Sequence, residues 1–294
     1  MVKKAIVKRE PAADVEVFES KSETPEYLRP KQQGPRGGEE VEQRDTNIPR
    51  LAICQSMSPY RKEGEKHIEN LKEGDYFNTV SGTRYGKSVL VIPLFFYKQQ
   101  IKFKPFSEGG GIVCQARDGK HGVGDPGGRC LECQFGPILG WSGGGRNKRT
   151  PPACTEFKNY ACLVIPRDRM PKPEDSLVFS MKTTAIKQSN DWNQRLRMAG
   201  LDWWTRIHEL TSIEKTNDQN QSWFVPVIKV YDGPRVPASA DKDLPPFIVN
   251  KVIYYLGESI YKDMQAMHAA GKLTIDLEDE EHESFPGDRQ PGDE

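Results

Sequence analysis

Gly74-Asp75-Tyr76-Phe77-Asn78-Thr79-Val80-Ser81-Gly82-Thr83-Arg84-Tyr85-Gly86-Lys87-Ser88 leads directly into Val89-Leu90-Val91-Ile92-Pro93-Leu94-Phe95-Phe96-Tyr97. Two runs rich in β-branched and aromatic residues, set around turn formers, predict a hairpin or meander. Gly86-Lys87-Ser88 invites comparison with a phosphate-binding loop. That motif needs a glycine five positions before its second Gly, where Ser81 stands, and a helix after the Ser, where a β-branched run follows. Nucleotide hydrolysis through such a loop is therefore excluded.

Strand signals continue outward on both sides. Upstream, Ile48-Pro49-Arg50-Leu51-Ala52-Ile53-Cys54 predicts a short strand, and the charged stretch 60–71 a short helix or loop. Downstream, Phe157 to Pro166 and Ser176 to Lys182 predict strands. In Thr184 to Ala199 the period changes: Ala185, Ser189, Trp192 and Leu196 recur at helical spacing, and Gly200 is a stop. Trp203 to Ile213 and Ser222 to Val230, joined by the polar turn Asn217-Asp218-Gln219-Asn220, predict a second hairpin. On a strand Trp203 and Trp204 would face opposite ways, one into the core and one out. Ile248, Val252, Leu256, Ile260, Met264 and Met267 form an apolar stripe ending at Gly271, an amphipathic helix over 246–271. About eight strands, two helices and no βαβ alternation predict a mainly β (α+β) fold, an OB-like antiparallel barrel over 48–232.

Within that span Cys114, Cys130, Cys133 and Cys154 carry the clearest chemistry. The Cys-x2-Cys step lets two thiolates of one turn face one ion, and the longer gaps supply two more from flanking segments. Gly119, Gly122, Gly124, Gly127 and Gly128 with Pro126 supply the tight turns of a metal knuckle at 112–156. Four thiolates leave no open coordination position, so the reading is a structural zinc, Zn2+, and not a catalytic one. Free or core thiols and a redox pair are the competing readings, and His121 or Cys162 could replace one ligand. Cys54, in an apolar run, reads as a small core residue.

No other constellation points to catalysis. His67, His121, His208, His268 and His282 are scattered, no Gly-x-Ser-x-Gly or His-Glu-x-x-His is present, and the chain reads as a non-enzyme. The cysteine pattern is not a disulfide framework, the N-terminus has no apolar signal region, and no run is long enough for a membrane span. A soluble protein of the reducing cytoplasm is expected.

The chain is formally neutral, but its charge is unevenly placed. Residues 273–294 hold nine acidic side chains against Arg289 alone, a tail at −8, so the remainder stands at +8. The acidic stretch 272–294 and the Lys-, Glu-, Pro- and Gly-rich arm 1–47 read as disordered. A basic body suits a polyanionic partner. On a strand Ile101, Phe103 and Pro105 share one face, while Lys102 and Lys104 share the other, which sets cations beside aromatic rings. Trp141-Ser142-Gly143-Gly144-Gly145-Arg146-Asn147-Lys148-Arg149 puts three cations and a tryptophan on a Gly-rich loop between two of the cysteines. An amphipathic strand with solvated lysines, and a solubilised loop with a small-module core tryptophan, are the alternatives.

This layout resembles bacteriophage single-stranded DNA-binding proteins: a strand-rich basic body able to carry a zinc knuckle, followed by an acidic C-terminal tail. The run Gly74 to Gly86 and the strand, helix and hairpin from Leu177 to Val230 share in that resemblance. It implies a protein that coats single-stranded DNA during replication or recombination. Lys102, Lys104, Arg146, Lys148 and Arg149 would neutralise phosphates, and Phe103, Trp141 and Trp204 would stack bases. The resemblance also implies a tail that competes for the basic groove and recruits replication or recombination proteins. A zinc-stabilised virion or scaffold protein, and a phage regulator that binds a protein partner through the metal module, are the other two readings.

Overall fold

The computed structural model describes residues 49–105, 108–142, 151–217, 220–271 and 273. The expected N-terminal arm and nearly all of the acidic stretch lie outside the described residues. Among the described residues the fold is mainly β, with two α-helices.

The organising strand is β4, Ser88–Phe103, sixteen residues that take in the whole apolar run from Val89 to Tyr97. It pairs antiparallel with β8, Cys154–Val164, from Val91↔Val164 to Lys102↔Cys154. The register slips between Pro93 and Phe95. Pro93 has no N–H to give a ladder, and a bulge is where a strand tolerates that. On its other edge β4 is shared. Its first residues pair with β10, His208–Thr216, and its last with β5, Ile112–Ala116.

Beyond β8 the sheet continues through β9, Ser176–Lys182, then β1, Arg50–Ile53, β2, Tyr76–Asn78, and β3, Arg84–Gly86. Beyond β5 it continues through β6, His121–Gly124, and β7, Gly128–Arg129. β10 and β11, Ser222–Val230, form the predicted hairpin and branch from β4.

This corrects the OB-like barrel. Closure requires the end strands to meet, whereas the path of strands ends at β3 on one side and β7 on the other. One pairing, β1 with β9, is parallel, so the sheet is mixed.

Directly opposed residues of an antiparallel ladder share a face, and the register thus sorts the core into two layers. Val91, Phe96, Tyr160, Cys162 and Phe179 face α1, Ile186–Ala199, whose Trp192 is wholly buried and stacks on Tyr160 at 4.5 Å. The Tyr160 hydroxyl is held by Ser189 at 2.7 Å and donates to Asn193 at 2.8 Å. Gly200, with φ 64°, ends this helix in the left-handed conformation expected of its stop signal.

Leu90, Ile92, Leu94 and Leu163 face the other way, toward α2, Lys251–Ala269. This helix starts later than the expected 246, because Asn250 caps it by accepting from the Ile253 N–H at 3.0 Å. Beyond α2 the chain stays on the sheet. Leu273 is buried against Tyr97 and Val178, and its carbonyl accepts from Gln99 Nε2 at 3.0 Å, while Asn159 Nδ2 donates to Gln99 Oε1 at 3.3 Å. Leu273 therefore belongs to the folded body and not to the acidic stretch in which the sequence reading put it. Among the described residues, no helix is long and apolar enough to cross a membrane.

Candidate metal centre and nucleic-acid interface

Lys102, near the end of β4, stands opposite Cys114 of β5 on one side and Cys154 of β8 on the other. The three side chains therefore share a face, the one that α1 covers farther along the sheet. Cys130 and Cys133 are carried by a single 3-10 turn, Cys130–Glu132, which the Cys133 N–H closes onto the Cys130 carbonyl at 3.3 Å. The Gly136 N–H donates to the Cys133 carbonyl at 2.9 Å, and the Phe135 carbonyl accepts from the Cys154 N–H at 3.0 Å, tying the turn to the start of β8. All four cysteines, with Gln100, Lys102 and Phe135, line one small cavity.

Two glycines make room for this convergence. A Cβ at Gly122 would sit 2.7 Å from Cys114 Sγ, and one at Gly136 would clash with the Cys130 carbonyl oxygen. Gly122→Ala is therefore expected to push the Cys114 sulfur away from the other three, and a zinc ion held by the four would be bound about tenfold or more weakly, in the range of other changes that misorient a ligand. Competition with a chromophoric chelator measures it, and an unchanged affinity would separate Gly122 from the centre.

The cysteines are thiols, with no disulfide among the six. Burial pushes the Cys154 thiol up to about 12, Cys130, Cys114 and Cys133 add to that, and Lys102 opposes it. Burial likewise raises Cys130, followed by Cys114 and Cys133. These mutual effects are those of sulfurs crowded into one place. The Cys154 thiol lies 3.8 Å from Gln100 Oε1. Among the described residues, no group of three or more His, Cys, Asp or Glu side chains is arranged to hold an ion. The four thiols thus share a cavity without standing in a ligating array.

The two candidate substitutes are engaged elsewhere. His121 Nδ1 lies 3.0 Å from Asp118 Oδ2 on the exposed β5–β6 turn. Burial works against ionisation of Asp118, but the backbone N–H groups of His121 and Lys120 and the His121 ring outweigh it and hold its carboxyl down to about 2. Cys162 is wholly buried in the core beneath α1, and Cys54 is buried beside Tyr60 and Phe77.

The nucleic-acid candidates divide. Lys104 is exposed. Trp141 is 51 % exposed, with its indole Nε1 donating to the Pro137 carbonyl at 3.1 Å. Arg146, Lys148 and Arg149 lie outside the described residues. Lys102 points into the cysteine cavity, its ammonium 3.9 Å from the centroid of the Phe135 ring, and is not free on a strand edge. Phe103 packs edge-on against the buried Phe157 at 6.3 Å. Trp204 is buried at 9 %, stacked on Tyr261 at 4.9 Å and pressed against Gly257 of α2. Its ring is taken by the core, because Trp203–Thr205 is a 3-10 turn and not the start of the strand, which begins at His208. The sequence reading missed Phe135 and Gln100. Phe135, two residues past Cys133, was the available signal.

A family model for the Pam3 phage gp34-like protein matches residues 18–270, which include the two-layer sheet and the whole cysteine module. The chain belongs to the Pam3 phage gp34-like family. This gp34-like chain is thereby a phage protein, as the layout led one to expect. Comparison with curated proteins and with solved structures gives no match.

Proposed function

We propose that this gp34-like protein binds single-stranded nucleic acid, coating single-stranded DNA during phage replication or recombination, with a binding segment carried by a four-cysteine module that a structural zinc closes. The observation that carries the reading is Trp141, exposed and tethered through its indole to Pro137, at the root of the segment that bears Arg146, Lys148 and Arg149. An aromatic face beside cations is what a sequence-tolerant single-strand site needs: stacking for the bases and charge for the phosphates. The excess of eight positive charges outside residues 273–294 supports the same reading. Zinc would be held by Cys114, Cys130, Cys133 and Cys154, and would supply shape and no reaction. Their common cavity and the two glycines that make room for it support that ligand set, which then closes around the ion.

The test compares gel shifts of a labelled oligo(dT) with those of a duplex of equal length. Preference for the single strand, falling steeply with salt, is expected, and absence of binding at low salt would sink the reading. Trp141→Ala is expected to cost about 1–3 kcal/mol of affinity, whereas Trp204→Phe should leave it unchanged.

One observation favours a protein partner instead, as a virion component or regulator would need. Several of the most exposed large apolar side chains lie on the module, Val123 at 80 % and Leu131, Ile138 and Leu139 at close to 60 % each. DNA-independent assembly of the purified protein would support that second reading.

A further inference from the structure

Among the described residues that line the four-cysteine cavity, Lys102 is the only cation. Four thiolates around one divalent zinc leave an excess of two negative charges, and a charge held away from water is tolerated where an opposite one sits beside it. Lys102 is placed for that: it is in register with Cys114 on one strand and Cys154 on the other, and its ammonium is pinned 3.9 Å above the Phe135 ring. Phe135 is itself fastened to the cluster, since its carbonyl accepts from the Cys154 N–H. The pinning uses a cation–π contact, which favours a charged ammonium over a neutral side chain of the same length. Lys104, two residues on and exposed, shows the alternative fate of a lysine on this segment.

We propose that Lys102 is the built-in counter-charge of a zinc tetrathiolate centre, a positioning residue that balances the excess thiolate charge and holds the Cys114 and Cys154 sulfurs around the ion. This rests on the zinc reading above. It removes Lys102 from the phosphate-contacting set and makes the sheet itself, through β4, part of the metal site. It also gives the centre a chemical character: a partly neutralised tetrathiolate releases zinc and reacts with electrophiles more slowly than one with its full negative charge.

The experiment uses the full chain as wild type, Lys102→Met, which keeps the stem and removes the charge, and Lys102→Arg, which keeps the charge. Zinc per chain and the rate of zinc transfer to a chromophoric chelator are measured at one pH and ionic strength, with circular dichroism as the check on folding. Wild type is expected to hold about one zinc per chain. Lys102→Met is expected to release it about tenfold to a hundredfold faster, as for other second-layer partners of metal ligands, and Lys102→Arg to stay close to wild type. Cobalt substitution adds a readout that a packing role would not move: the thiolate-to-metal charge-transfer band should shift in the Met variant and hold its place in the Arg variant. Should Lys102→Met fold poorly, Lys102→Gln is read in the same way. Wild-type release and an unmoved band in a folded, zinc-loaded neutral variant would overturn the counter-charge and leave the zinc reading standing. A wild type without zinc would end the zinc reading itself.

Discussion

Cys130→Ser is expected to take the purified protein from about one zinc per chain to less than half of that and to unfold the cysteine module while the rest of the sheet persists. The size of the effect follows from what the module lacks. Across 112–142 only Ala116, Cys130 and Gly136 are buried, so the segment has no hydrophobic core of its own. Small units in that position need a metal or disulfides to stay folded, and the six cysteines form no disulfide. Structural zinc in isolated finger peptides is worth roughly 10–16 kcal/mol at neutral pH. Losing one ligand should forfeit enough of that to free β5 and β6 from β4. Metal analysis and amide hydrogen exchange read the two halves of the prediction. Exchange protection lost along β5 and β6 but kept along β9 and β10 is the expected pattern. A wild-type protein carrying less than half an equivalent of zinc would defeat the premise.

Trp192→Ala should destabilise the folded body by about 3 kcal/mol, the low end of the range for a fully buried aromatic. Trp192 is wholly buried, stacked on Tyr160 at 4.5 Å and edge-on to His208 at 5.5 Å, and it is the largest fully buried side chain among the described residues. Its indole N–H is buried without a hydrogen-bond partner among the described residues, so the alanine also removes an unmade bond, which moderates the loss. Denaturant unfolding with an unchanged slope is the measurement. A loss below about 1 kcal/mol would mean that α1 is not the lid of this layer.

The elements that were legible in the sequence are those whose signal is local. β9 and β11 span the residues their alternation and turns predicted, and α1 stops where Gly200 predicted. Pairing across long separations left no such mark. The parallel contact of β1 with β9, and the shared outer edge of β4, depend on which strands meet, and the barrel failed on that point. Side-chain direction was equally hidden. Alternation correctly put Lys102 and Phe103 on opposite faces, but what folds over each face decided that one enters the cysteine cavity and the other the core. Trp204 is buried because a 3-10 turn runs where the sequence pattern predicts a strand. The burial of Leu273 is equally hidden, because one apolar residue before an acidic run carries no pattern at all.

The position of the cysteine module between β4 and β8 bears on the order in which the chain can assemble. The hairpin of β10 and β11 joins near neighbours and can form early, whereas the match of Lys102 with Cys154 closes a loop of roughly fifty residues. The four cysteines sit inside that loop or at its end. Were the segment from Cys114 to Cys154 gathered first, a far shorter span would be left to close, and the entropy cost of bringing β8 to β4 would fall accordingly.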